Sequence, residues 1–157
     1  SSFNLNNFGN MCFFSKAFQK EKVKLRHFKL KEFASPDDPK SGKKMDKTFL
    51  LFLDELRNRC NFKFFITSGF RTEAYQEDLR RRGYKTAKKG TSPHLEGIVA
   101  DVAITDSYKR ALFVGFALEL ASELDLPFRL GIAGKDKGNF IHIDISEKLS
   151  SPKIWIY

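Results

Sequence analysis

Cysteine is nearly absent: Cys12 and Cys60 are the only two in 157 residues, and each stands alone. Neither a disulfide framework nor a cysteine-based zinc finger can be built from them, so free or buried thiols are expected. Long apolar runs are missing too, and no segment approaches the roughly 18 consecutive apolar residues of a membrane span. Near the start, Met11-Cys12-Phe13-Phe14 passes at once into Ser15-Lys16 and a basic stretch. That leaves no apolar segment of about 7 to 15 residues for a secretory leader, and none is expected. Acidic charge is also in short supply, with 19 Asp+Glu against 28 Lys+Arg and a net charge of +9. Such a balance favours an anionic partner: nucleic acid, a membrane surface or a cell-wall polymer.

What is present is enough for a core. Hydrophobic residues make up 41% and charged residues 30%, which excludes a disordered chain and fits one domain. Residues 1–15 are read as a tail, and 16–157 as the single domain. Many of the 17 phenylalanines fall in runs such as Phe49-Leu50-Leu51-Phe52 and Phe64-Phe65. Those runs read as core, not as exposed stacking platforms, so no stable nucleic-acid partner is expected. A monomer is the default for so small and charged a domain.

Along the chain, lysines interleave with apolar residues over 16–31, and the turn-rich stretch 34–42 reads as a loop. Met45, Phe49, Leu50, Leu53 and Leu56 recur at helical spacing and predict a helix over 45–60. Residues 64–67 form a short β-prone run closed by Ser68-Gly69, and 73–82 a polar helix stopped by Gly83. The apolar run 98–104 reads as a strand, and Ser107 is placed to cap a helix over 108–124. Strands are expected over 128–132 and, after a hairpin-like loop at 134–138, over 139–145 as the last. The sum is an α+β domain, a small, mostly antiparallel sheet flanked by helices.

Three histidines are available, His27, His94 and His142. In Phe140-Ile141-His142-Ile143-Asp144-Ile145, strand alternation puts the isoleucines on one face and His142 with Asp144 on the other. Asp101 interrupts an otherwise apolar strand, and a buried carboxylate costs several kcal/mol unless a cation, donors or a metal satisfies it. His94 lies seven residues upstream, with Gly97 between. Two imidazoles and one carboxylate converging from two strands and a loop would make a three-ligand site for a divalent ion such as zinc, with a position left for water. The bland reading makes His94 an exposed loop residue and Asp101 a turn cap.

The stretch Ser92-Pro93-His94-Leu95-Glu96-Gly97-Ile98-Val99-Ala100-Asp101 resembles the S-x-H-x-x-G-x-A-x-D signature of the M15 metallopeptidases. That family includes D-Ala-D-Ala carboxypeptidases and dipeptidases and phage L-alanyl-D-glutamate endopeptidases, and shares its zinc-site architecture with the Hedgehog signalling domain. Three further segments match in family order. They are 27–33, Thr67-Ser68-Gly69-Phe70-Arg71-Thr72 like S-G-[YF]-R-[ST], and 140–144 like the final H-x-D. The matches span about residues 27–157 and include the terminal Ile154-Trp155-Ile156-Tyr157. The compact members found in bacteria and bacteriophages are the most similar.

The resemblance implies one zinc ion per chain on His94, Asp101 and His142, and hydrolysis of a peptide bond in peptidoglycan stem peptides, most plausibly next to D-alanine. Arg71 would hold a substrate carboxylate or polarise the scissile carbonyl, and Ser92 would either hydrogen-bond within the site, toward substrate, or make an N-terminal loop contact. His27 matches a position outside the triad and is read as packing. Val99 stands where the signature has Ala, and Asn139 stands where many members have a catalytic Glu. An amide cannot act as a base. Asp144 is the replacement, either as the proton shuttle or as the acceptor that orients a histidine ligand; Glu96 is a weaker choice. The basic stretches 85–89 and 135–137 would attract an anionic wall polymer. Synthesis in a host cytoplasm with action at the periplasm or cell wall would follow for a phage source. Loss of the Glu also leaves open a zinc-containing binding module without turnover.

Overall fold

The computed structural model describes residues 22–157, so the expected tail and Cys12 lie outside the described residues. Among the described residues, four α-helices and five strands follow one another as α1 Lys47–Cys60, β1 Phe65–Ser68, α2 Glu73–Arg81, α3 Pro93–Glu96, β2 Val99–Ala103, α4 Ser107–Glu123, β3 Arg129–Ile132, β4 Phe140–Asp144 and β5 Lys153–Ile156. Short 3-10 turns occupy Leu30–Phe33, Ser41–Lys44 and Lys135–Lys137. The strands form a single sheet in the order β1-β2-β4-β3-β5. Every neighbouring pair is antiparallel except β3 with β5. The expected α+β architecture is the one observed. Among the described residues no helix is long and apolar enough to cross a membrane.

The helices form where apolar spacing and caps agree. In α1, Phe49, Leu50, Phe52, Leu53 and Leu56 are buried, and the Asp46 carboxylate accepts from the Phe49 N–H at 2.9 Å. Met45, expected inside this helix, precedes the cap. In α4 the buried Phe113, Ala117, Leu120 and Ala121 recur on one face. Its cap is Asp106 and not the expected Ser107, because the Asp106 carboxylate reaches the Lys109 N–H at 2.8 Å. These two helices cover one face of the sheet. Against them lie Ala100 and Val102 of β2, Leu130 of β3, and Ile141 and Ile143 of β4, all buried in one apolar cluster. Each such Leu, Ile or Phe side chain contributes about 1.5–3 kcal/mol on burial.

Two sequence expectations are corrected here. Residues 139–145 do not hold the last strand, because Lys153–Ile156 adds a fifth that pairs in parallel with β3. His27 is not a packing residue. Its side chain is exposed beside Asn58 (3.3 Å), while the N–H groups of Arg26 and His27 donate to the buried Asp54 carboxylate and the neighbouring Phe28 packs into the core. Arg26 and Arg59 also pair with Glu55, which compensates the second buried acid of α1.

Candidate metal centre

The alternation that buries Ile141 and Ile143 among the helices turns His142 and Asp144 to the opposite face of the sheet. Register then assembles the site. Asp101 of β2 and His142 of β4 are direct cross-strand partners, Asp101 is opposite Ser68 of β1, His142 is opposite Gly131 of β3, and Gly131 is opposite Trp155 of β5. One transverse row therefore runs Ser68, Asp101, His142, Gly131, Trp155 across all five strands. A bulge at Thr67 brings Ser68 into this row, and the Thr67 hydroxyl donates to the Asp101 carbonyl at 3.1 Å.

His94 reaches the row from α3. Ser92 caps this one-turn helix, its hydroxyl accepting from the His94 N–H at 3.3 Å, and Gly97 closes it at φ 70°. A β-carbon at Gly97 would fall 2.7 Å from the Lys44 carbonyl oxygen, so the position demands glycine twice over. The result buries His94 to 4% exposure, against the reading of it as an exposed loop residue.

The hydrogen-bond partners fix which nitrogen each histidine offers. His94 Nδ1 lies 2.7 Å from the Gly69 carbonyl, which can only accept, so Nδ1 carries the proton. Its Nε2 is left bare, 3.5 Å from Asp101 Oδ2. His142 Nε2 lies 2.7 Å from Asp144 Oδ2, and its Nδ1 faces Asp101 Oδ1 at 3.0 Å. One ligand atom from each of His94, Asp101 and His142 lies within 4.8 Å of the others. Two imidazole nitrogens and one carboxylate oxygen, with their outward nitrogens tied to a carbonyl and a second carboxylate, are a donor set that fits zinc.

Charge is compensated unevenly. Burial pulls His94 down to about 4, outweighing the attraction of Asp101. Burial would lower His142 too, but hydrogen bonds to Asp101 and Asp144 more than offset it and lift this histidine to about 9. Burial pushes Asp101 up, while the His142 hydrogen bond and the nearby His94 and Arg71 hold it below the usual carboxylate range. Without a metal, then, a protonated His142 sits between two carboxylates and occupies the charge position of a cation.

Arg71 is tied in from four directions. Its N–H donates to the His94 carbonyl at 3.0 Å, and its guanidinium reaches the Ser68 hydroxyl (3.0 Å), Gln76 Oε1 (3.3 Å) and Asp101 Oδ2 (3.3 Å). It lines a cleft of about 920 Å³ together with Asp101, Tyr75, Tyr84, Trp155 and Tyr157. A smaller recess of about 330 Å³ also reaches Ser92, His94 and His142. The structure thus brings together the proposed ligands and Arg71, and shows Ser92 as a helix cap beside them. Glu96 points elsewhere and pairs with Lys148.

Asp144 is fully buried and absent from the walls of both spaces. Its oxygens accept from His142 Nε2, from the Ser146 N–H at 3.0 Å, and from Arg129 Nε at 3.2–3.3 Å. Asn139 has φ 52° and follows Gly138 at φ 94°, a tight turn into β4. Left-handed backbone suits asparagine far better than glutamate, a physical reason for the amide at this position.

Sequence reasoning gave no role to four residues here, two of which, Trp155 and Tyr157, lie in the matched terminal segment. Gln76 is buried with its Nε2 unpartnered among the described residues. Arg129 braces Asp144, and Trp155 and Tyr157 wall the cleft. The Tyr157 phenol is pushed up to about 12 by burial and by Asp101, so it remains a donor at neutral pH.

Among solved structures, the chain is similar to the crystal structure of Serratia marcescens L-Ala D-Glu endopeptidase ChiX, with a TM-score of 0.54 and 18% identity, covering 68% of this chain and 84% of that one. At that identity the likeness establishes a shared fold. No protein-family model matches the chain, and no curated protein does.

Proposed function

We propose that this chain is a zinc-dependent peptidase that hydrolyses peptide bonds in the stem peptides of bacterial peptidoglycan. The observation that carries the reading is the convergence of His94 Nε2, Asp101 Oδ and His142 Nδ1 on a recess that Arg71 also lines, with Arg71 and Asp101 facing the larger cleft as well. Zinc held there would polarise the scissile carbonyl and make water acidic enough to attack at neutral pH. Arg71, held by Ser68, Gln76 and Asp101, offers its planar donors to a substrate carboxylate or to the developing oxyanion. Ser92 holds the His94 turn in place, and any contact it makes with substrate comes through the smaller recess.

Asp144 takes the orienting role in this proposal, not that of proton shuttle. A base must come within hydrogen-bond reach of the proton it abstracts, and Asp144 is sealed behind His142 with both oxygens engaged. Its service is to hold the His142 Nε2 proton and so turn the Nδ1 lone pair toward Asp101.

Cleavage next to D-alanine follows from the family resemblance, and cleavage between L-Ala and D-Glu from the likeness to the Serratia enzyme. Digestion of defined muropeptides by zinc-loaded protein, with products identified by mass spectrometry, decides between them. The same assay tests a second reading, a zinc-holding binding module without turnover, which rests on Asn139 and the sealed Asp144. No new amino termini from any stem peptide, at one bound zinc per chain, would sink the peptidase and leave the binding module.

A further inference from the structure

The geometry points to Trp155 as the positioning residue that fixes the His142 ring, seated in a notch made by Gly131. This rests on the metal reading above and gives a role to a residue that lies in the matched terminal segment 154–157 but to which neither the signature nor the fold comparison assigns one.

Strand β3 lies between β4 and β5, and Gly131 faces the same side of the sheet as His142 and Trp155. Any side chain at 131 would stand between the other two. A β-carbon built there would fall 2.5 Å from Trp155 Cε2 and 2.7 Å from both Cζ2 and Nε1. The indole therefore lies directly across the backbone of β3. It meets the His142 imidazole with ring centroids 5.4 Å apart and planes at 52°. That separation is within the range in which aromatic pairs attract beyond simple area burial.

A second path from Trp155 to the same histidine runs through Arg129, two residues before Gly131. The Arg129 guanidinium lies 5.2 Å from the indole centroid, a cation–π distance. Its Nε holds Asp144, and Asp144 accepts from His142 Nε2 at 2.7 Å. The imidazole is thus flanked by the tilted indole and held at its outer nitrogen by a carboxylate whose own partner leans on the same indole. Both contacts act on ring rotation, which decides whether the Nδ1 lone pair points at the Asp101 side.

The opposite face of β5 cannot account for its placement. Ile154 and Ile156 are 49% and 71% exposed, so the strand gains little from the apolar core. Its inward contacts are Trp155 on the row and Tyr157, whose ring lies against Phe140 at 5.2 Å and Trp155 at 5.9 Å. In this chain the fifth strand pairs along the edge of β3 and carries Trp155 onto the row beside His142.

The test compares zinc affinity, by competition with a chromophoric chelator, and the visible spectrum of the cobalt-substituted protein for wild type, Trp155→Ala, Trp155→Phe and Ile154→Ala. Removing a residue that orients a ligand costs about 10- to 100-fold in metal affinity. That loss is expected for Trp155→Ala, with a changed cobalt spectrum, most of it recovered in Trp155→Phe. Ile154→Ala weakens the same strand from the other face and should bind zinc as wild type does. Thermal unfolding of the metal-free variants separates loss of fold from loss of orientation. Should Trp155→Ala fail to fold, Gly131→Ala, which pushes the indole out of its notch, carries the same prediction. Trp155→Ala binding zinc within about twofold of wild type, or Ile154→Ala losing as much as Trp155→Ala, overturns the brace alone. Wild type that takes up no zinc overturns the metal reading and the brace with it.

Discussion

Asp101 and His142 are direct cross-strand partners on β2 and β4, with Asp101 Oδ1 3.0 Å from His142 Nδ1. Residues 41 apart in sequence are thus held side by side by the sheet ladder itself, with no loop needed to bring them together. His94 is the ligand that depends on a local turn, and Gly97 is what makes the turn.

Gly97→Ala tests that dependence. The left-handed φ and the 2.7 Å approach to the Lys44 carbonyl both oppose a β-carbon. A loss of about 1–3 kcal/mol in unfolding free energy is expected from the backbone conformation alone, measured by denaturant titration. Metal affinity should fall with it, since α3 must shift to relieve the contact. Unchanged stability would mean that the turn is looser than described.

Trp155 is the only tryptophan in the chain and lies 5.4 Å from His142, ring to ring. Its emission is therefore a private reporter of the site. Cobalt, which quenches nearby fluorophores, should extinguish most of the intrinsic tryptophan emission at one equivalent, and His142→Ala should abolish the effect. Emission that ignores cobalt in a protein shown by elemental analysis to contain it would place the ion elsewhere.

The pH dependence of zinc uptake follows from the two histidines. His94, at about 4, is already neutral at physiological pH and has no proton to release. His142, lifted to about 9 in the metal-free protein, must lose a proton before Nδ1 can bind. Affinity should rise about tenfold per pH unit through neutrality and level off near pH 9, with close to one proton released per zinc below that point. Calorimetry in buffers of different ionisation enthalpy counts the protons. The same shift has a sign for the metal-free fold. A histidine at about 9 when folded, against its ordinary 6.5, stabilises fully below 6.5, and that contribution is lost as pH rises through 9.

Asp144→Asn separates the two roles considered for this carboxylate. An orienting acceptor that also neutralises Arg129 should show its loss in zinc affinity, by about 10- to 100-fold, and the effect should be shared by Arg129→Ala. A proton shuttle would instead leave affinity intact and depress kcat. Measuring both quantities on the same protein is decisive.

Much of this was legible in the sequence, for identifiable reasons. A lone carboxylate inside the apolar run around Asp101 and the strict alternation around His142 are signals of local period, and local period survives in one dimension. The helices α1 and α4 announced themselves by the same means. What was hidden depends on pairing between distant segments. Lys153–Ile156 is too short for its alternation to register, and only the parallel pairing with β3 makes it a strand. The absence of a side chain at Gly131 acquires meaning only once Trp155 lies across it. Gln76 shows its unpartnered amide only once Arg71 has folded onto it. The cap at Asp106 was missed because two adjacent residues could both cap, and only geometry chooses.

The cross-strand placement of Asp101 and His142 has a further meaning for the chain as a polymer. An ion shared by these two residues would act as a reversible crosslink, closing the long excursion through α4, β3 and the hairpin between them. Unlike a disulfide, which persists in the unfolded chain, it would act by binding the folded sheet and leaving on unfolding. A chain with no disulfide among its described residues would then hold its sheet shut with a fastener whose strength is set by free metal, growing as RT ln(1 + [metal]/Kd).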